Sequence, residues 1–135
     1  MNAEPIAVRL IDGSFSIHRF SSDAPIPAVV LREPFFAVLR SATELSLVCP
    51  ASVEIDADKT SSGWSCLEVV GPLDLGMTGI IANISALLSA VSIPVFVISS
   101  FDTDYVLVRS EELGSAVSAL QTGGIKCIPA GLATG

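Results

Sequence analysis

Apolar residues recur at helical spacing twice in the second half of the chain. Ile80, Ile81, Ile84, Leu87, Leu88 and Val91 form one stripe, and small residues (Ala82, Ser85, Ala86, Ser89, Ala90) fill much of the rest of that turn pattern. Leu113, Ala116, Val117 and Leu120 form a second stripe. Its predicted N-cap is Ser110, Glu111 and Glu112 favour the first turn, and Gly123-Gly124 is its stop. Short apolar runs around these helices have strand character. They are Trp64–Val70, closed by Gly71-Pro72; Val95–Ile98, which follows the helix-breaking Pro94 and reads as a buried strand; Tyr105–Arg109; and Ile125–Ile128, ended by Pro129. Phe101-Asp102-Thr103-Asp104 is a polar connection suited to a hairpin. The order strand, helix, strand, strand, helix, strand predicts a ferredoxin-like βαββαβ unit, with two helices on one face of a four-stranded antiparallel sheet.

Part of this pattern recurs upstream. Phe36–Val53 set against Phe96–Leu113 without a gap gives four identities in 18 pairs, Thr43 with Thr103 and Leu47 with Leu107 among them. This offset of 60 predicts that Phe35–Arg40 and Leu45–Cys49 form a hairpin equivalent to the one at Val95–Arg109. Pro25 and Pro27 leave room for only a short helix in Pro25–Leu31. Val8–Ile11 and Phe15–Phe20 flank Asp12-Gly13-Ser14 and read as a further hairpin. Ala51–Ile55 stands where a second helix would begin, and the polar Asp56–Gly63 reads as the linker between copies. The expected fold class is α+β: two ferredoxin-like modules, the first degenerate, with antiparallel sheets and helices on one face. The expected domains are 1–62 and 63–129, with a tail at 130–135.

Composition narrows the functional classes. Half of the 135 residues are hydrophobic and 16% are charged, which argues for a packed domain with an apolar face suited to another copy of the chain. Lys and Arg total 7 against 14 Asp and Glu, giving a net charge of −7. The cations are scattered singly, so nucleic acid and anionic membrane surfaces are not expected partners. No charged residue occurs between Asp74 and Asp102, yet Pro94 and the interspersed serines favour a buried helix plus strand over a membrane span. Cys49, Cys66 and Cys127 are an odd number in no C-x-x-C spacing and read as reduced, buried thiols of a cytoplasmic protein. The opening MNAEPIAVRL has no basic-then-apolar run and does not read as a signal peptide. His18 is the one histidine, so no metal set is expected. Paired carboxylates at a suggestive spacing, a G-x-S-x-G elbow and a nucleotide fingerprint are all missing from the sequence, so neither catalysis nor a cofactor is expected.

Gly71-Pro72-Leu73-Asp74-Leu75-Gly76-Met77-Thr78-Gly79-Ile80, followed by Ile98-Ser99-Ser100-Phe101-Asp102-Thr103-Asp104-Tyr105-Val106-Leu107-Val108, resembles small bacterial tandem ACT-domain proteins. These are similar to the ACT modules of the CASTOR arginine sensors and to the regulatory ACT domains of aspartate kinases. Arg40–Pro50 resembles the first copy in that family. The resemblance implies βαββαβ folds, pairing of modules into homo-oligomers, and binding of a free amino acid at an interface.

The residues themselves locate the candidate site. The Leu73–Gly79 turn leads into a helix N-terminus, where free N–H groups and the helix dipole favour an α-carboxylate. Gly76 and Gly79 permit close approach of a ligand to the backbone. Asp74 is the acceptor for an ammonium or a basic side chain, and Thr78 adds a hydroxyl or caps the helix. The candidate ligand-binding set is Leu73, Asp74, Leu75, Gly76, Met77, Thr78, Gly79 and Ile80, with Ser99, Ser100, Phe101 and Asp104 from the following hairpin. An ordinary strand-to-helix turn and an internally hydrogen-bonded hairpin are the plainer readings of the same residues. Two functions remain open: an amino-acid-binding sensor, and a structural homo-oligomerisation or interaction module without a ligand.

Overall fold

The computed structural model describes residues 6–70 and 79–131. Contacts divide the chain into two compact units: Gly13–Trp64, and Met1–Asp12 together with Ser65–Gly135. This division is discontinuous, whereas a boundary drawn at the polar stretch before Gly63 follows the chain.

The unit Gly13–Trp64 is an antiparallel sheet built from β2 (Phe15–Phe20), β3 (Ala37–Arg40), β4 (Leu45–Pro50) and the first part of β5 (Lys59–Val69). Their order is β3-β4-β2-β5. Paired residues on one face are apolar: buried Phe20 lies opposite buried Leu45, and partly buried Val38 opposite buried Leu47. Val30, from a single 3-10 stretch at Ala28–Arg32, completes that core. The two prolines thus allow one short turn of helix, as the sequence leads one to expect. Ala51–Ile55 forms a turn and coil instead of the start of a second helix. The polar residues from Lys59 to Gly63 are strand, not linker. Gly63, at φ +81°, lies at the irregularity where the β2–β5 register shifts, a bulge that glycine accommodates without strain.

The other unit contains β1 (Ala7–Leu10), the end of β5, α1 (Ile80–Ser89), β6 (Phe96–Ser99), β7 (Asp104–Arg109), α2 (Leu113–Thr122) and β8 (Lys126–Ile128). From β5 onward the elements follow the predicted βαββαβ order, and the fold is α+β with a mixed sheet. The strand order is β6-β7-β5-β1-β8. Ile84 and Leu88 of α1 and Ala116 and Leu120 of α2 bury against Val8, Leu67, Val69, Val106 and Val108 on one sheet face. That burial, at about 1.5–3 kcal/mol for each fully covered aliphatic side chain, is what holds two helices with no charged residue onto the sheet.

Several local expectations are corrected. β1 and β2 do not pair with each other: β1 is antiparallel to β5 (Val8↔Val69) and parallel to β8 (Val8↔Cys127), while β2 pairs with β4 along its whole length. The sheet is therefore neither four-stranded nor wholly antiparallel, because β1 is inserted between β5 and β8. A parallel pair needs a long connection, which the chain between β1 and β8 supplies. β6 pairs with β7 alone, so this edge strand is half-exposed, with Val97 at 38%, instead of buried. Ser110 caps no helix; its hydroxyl bonds Ser65 Oγ at 2.9 Å, and α2 begins after a 3-10 turn at Ser110–Glu112. Val91 lies past the end of α1 and is exposed. No helix among the described residues is long and apolar enough to cross a membrane.

The hairpins β3–β4 and β6–β7 both form, but their correspondence is 59, not 60. Arg40 pairs with Leu45 as Ser99 pairs with Asp104. Ser41 N–H bonds Glu44 O at 2.9 Å as Ser100 N–H bonds Thr103 O at 2.8 Å. Buried Leu47, Val48 and Cys49 then match buried Val106, Leu107 and Val108. Matching Thr43 to Thr103 slips the alignment by one residue, which exchanges the two faces of every strand.

His18, in the middle of β2, is 3% exposed. Its Nδ1 shares a 2.8 Å hydrogen bond with Thr60 Oγ1, and its buried Nε2 has no hydrogen-bond partner among the described residues. Burial lowers its pKa below the usual 6.5, so the unfolded chain takes up the proton first. Stability is then expected to fall as the pH drops below about 6.5, with the neutral ring favouring the fold above it. Urea midpoints at pH 7.5 and 5.5 should differ in the native protein, and the difference should shrink in His18→Asn. An equal difference in both would refute this.

Candidate functional site

Gly79 and Ile80 place one part of the predicted site. Gly79 precedes α1 at φ +84°, a left-handed conformation that L side chains rarely adopt, and its carbonyl accepts from Asn83 N–H at 2.9 Å. Ile80 turns inward and is buried. Among the described residues, no side chain caps this helix. Leu73, Asp74, Leu75, Gly76, Met77 and Thr78 lie outside the described residues.

The β6–β7 turn is the other part. Ser99 Oγ donates to Asp104 Oδ1 at 2.6 Å, and Ser100 Oγ donates to Thr103 O at 3.0 Å while accepting from Thr103 N–H at 3.2 Å. The hydroxyls of both serines are thus engaged within the hairpin. Phe101, at the tip, is 78% exposed. The Thr103 hydroxyl donates to Val69 O, which ties this turn to the end of β5. The strand end from which the Leu73–Gly79 segment departs is thus joined to the hairpin bearing Ser99, Ser100, Phe101 and Asp104. Thr103 was not among the expected site residues; a threonine in mid-turn was the available signal.

A second polar group, not foreseen, lies on the sheet beside these elements. Arg9 Nη1 donates to Glu68 Oε1 at 3.0 Å, and Tyr105 OH donates to Glu68 Oε2 at 3.4 Å. Arg9 and Glu68 are cross-strand partners, so their meeting depends on the β1–β5 pairing that local sequence does not reveal. Burial, and then the Glu68 carboxylate, push the Tyr105 phenol upward. The same two causes raise Cys66 to about 12, so its thiol stays protonated and inert at neutral pH. Burial also raises Cys49 and Cys127, with Glu33 adding to the shift at Cys49.

Leu87, Ala90, Val91, Gly114, Ser115 and Ser118 line an open groove of about 760 Å³ along α1 and α2. It has no charged lining residue and so offers nothing to neutralise a zwitterion. Among the described residues, no cluster of three His, Cys, Asp or Glu side chains is arranged to hold a metal ion.

Comparison with known proteins adds four matches. Residues 59–122 match the family model of the ACT domain. The chain is 32% identical over 125 residues to the cytosolic arginine sensor for mTORC1 subunit 1 of Mus musculus, a match covering 86% of this chain and 38% of that protein. The chain thus spans well under half the length of the curated relatives it matches. Among solved structures, a protein of Agobacterium tumefaciens is 32% identical, with a TM-score of 0.87, covering 98% of this chain and 99% of that one. The regulatory subunit of aspartate kinase from Thermus thermophilus shares the fold at 12% identity, with a TM-score of 0.60, covering 90% of this chain and 99% of that one.

Proposed function

Because residues 59–122 match the ACT-domain family model, we propose that the chain is a regulatory protein that binds a free amino acid through the Leu73–Ile80 segment and the β6–β7 turn. The observation that carries this reading is the Thr103–Val69 tie, which holds Ser99, Ser100, Phe101 and Asp104 against the strand leading into that segment. In this reading the amides at the start of α1 receive the α-carboxylate. Asp74 receives the ammonium or a basic side chain. The exposed Phe101 ring covers the bound ligand or meets a partner surface.

The same reading takes the two matched hairpins as parts of two ACT-type modules, 1–62 and 63–129, the first degenerate. It places the protein in the cytoplasm as a homo-oligomer that acts through binding, without catalysis. Light scattering that gives the mass of a single chain at micromolar concentration would remove the oligomer from it. The second reading, a structural homo-oligomerisation module, is favoured by the completeness of the turn's internal hydrogen bonding.

A thermal-shift screen with the twenty amino acids separates the two. A ligand at 100 times its dissociation constant adds about 2.7 kcal/mol. Arginine is the first compound to try, because the mouse relative is named an arginine sensor. A midpoint unchanged by all twenty favours the structural module.

A further inference from the structure

We propose that the carbonyls of Ser22 and Ala24 form a guanidinium-accepting site in the unit Gly13–Trp64, and that Arg40 occupies it as a ligand tethered within the chain. Arg40 Nη1 donates to Ser22 O, and Arg40 Nη2 donates to Ala24 O at 2.7 Å. The acceptors lie on a shaped loop. Ala24 N–H bonds Ser21 O at 3.1 Å, and Ser21 Oγ donates to Asp23 Oδ1 at 2.9 Å, which closes the turn after β2. Pro25 and Pro27 follow and bring no N–H, so this stretch holds more carbonyl acceptors than local donors. A planar fork of several N–H donors answers two neighbouring carbonyls at once, which a single ammonium cannot do with the same geometry.

The matched hairpin shows that this contact is no by-product of the turn. With the 59-residue correspondence, Arg40 and Ser99 hold the same place, one residue before turns with the same backbone bond. The turns form alike in both units, so the turn itself does not require the arginine. Ser99 keeps its hydroxyl within its own hairpin, on Asp104. Arg40 instead crosses to the segment that follows β2. With its site filled from within, this unit takes up no free guanidinium compound until Arg40 is removed.

The test uses the full chain and methylguanidinium as probe, with sodium chloride at equal ionic strength as control. Short tethers give effective concentrations in the millimolar range, so the probe is applied at up to about 50 mM. In Arg40→Ala, methylguanidinium should produce saturable amide NMR shifts confined to residues 21–24 and 40–44, and should raise the thermal midpoint towards that of the native protein. The native protein should show neither effect. Arg40→Lys, which keeps the charge but loses the fork, should respond to the probe like Arg40→Ala, and it serves if the alanine variant does not fold. Equal shifts in native and variant chains, or no saturable shift in a folded variant, would overturn the proposal.

Discussion

Leu120→Ala is expected to lower stability by about 2–5 kcal/mol, the range for emptying a packed aliphatic site. Leu120 is fully buried in α2, in the core shared with Leu88, Val106 and Ile125. The helix layer has no charged residue to hold it in place, so apolar contact carries the attachment of α2 to the sheet. Domains of this size have a total stability of roughly 5–15 kcal/mol, so the variant loses a large share of it. Leu31→Ala is the control: Leu31 is exposed, and its loss should stay within about 0.5 kcal/mol. Urea unfolding of the two variants beside the native chain measures both values. Equal losses at Leu120 and Leu31 would mean that α2 is not packed as described.

Asp74→Ala is expected to weaken amino-acid binding by about 1.5–3 kcal/mol, roughly 10- to 150-fold, while leaving the oligomeric state alone. A zwitterion brings one carboxylate and one ammonium, and the proposed site meets the first with backbone amides at the start of α1. The second needs an acceptor carrying charge. Asp74 is the one ionisable side chain between Glu68 and Asp102, so its carboxylate has no competing cation within that segment. Titration calorimetry with the amino acid identified by thermal shift gives the affinities. Unchanged affinity in the variant would move the ligand to the Ser99–Asp104 turn, where Asp104 is the remaining carboxylate and is already held by Ser99.

Much of the second unit could be read from local pattern. α1 and α2 fall where the stripes at Ile80–Leu88 and Leu113–Leu120 place them, because a helix side buried against a sheet imposes its own period on the chain. Both hairpins were legible as well, since polar four-residue turns between short apolar strands constrain the chain locally. The glycines and one aspartate before a helix nominate a candidate site from sequence alone, whereas the Thr103 bond to the end of β5 was not legible there.

The sequence by itself determined most of the second unit's elements and their order, its two short helices, and the room for only a short helix between Pro25 and Leu31. These follow from residues a few positions apart, within reach of backbone geometry and side-chain period. Only the tertiary structure decided that β1 enters between β5 and β8, that Lys59–Gly63 is strand, that Arg9 meets Glu68, and that the hairpins match at 59 and not 60. Each of these depends on which distant strand supplies the partner and on a register that one residue of slip reverses. Short apolar strands look alike, so nothing local distinguishes one partner from another. The choice falls to the packing that buries Val8, Leu67 and Val106 on the same face.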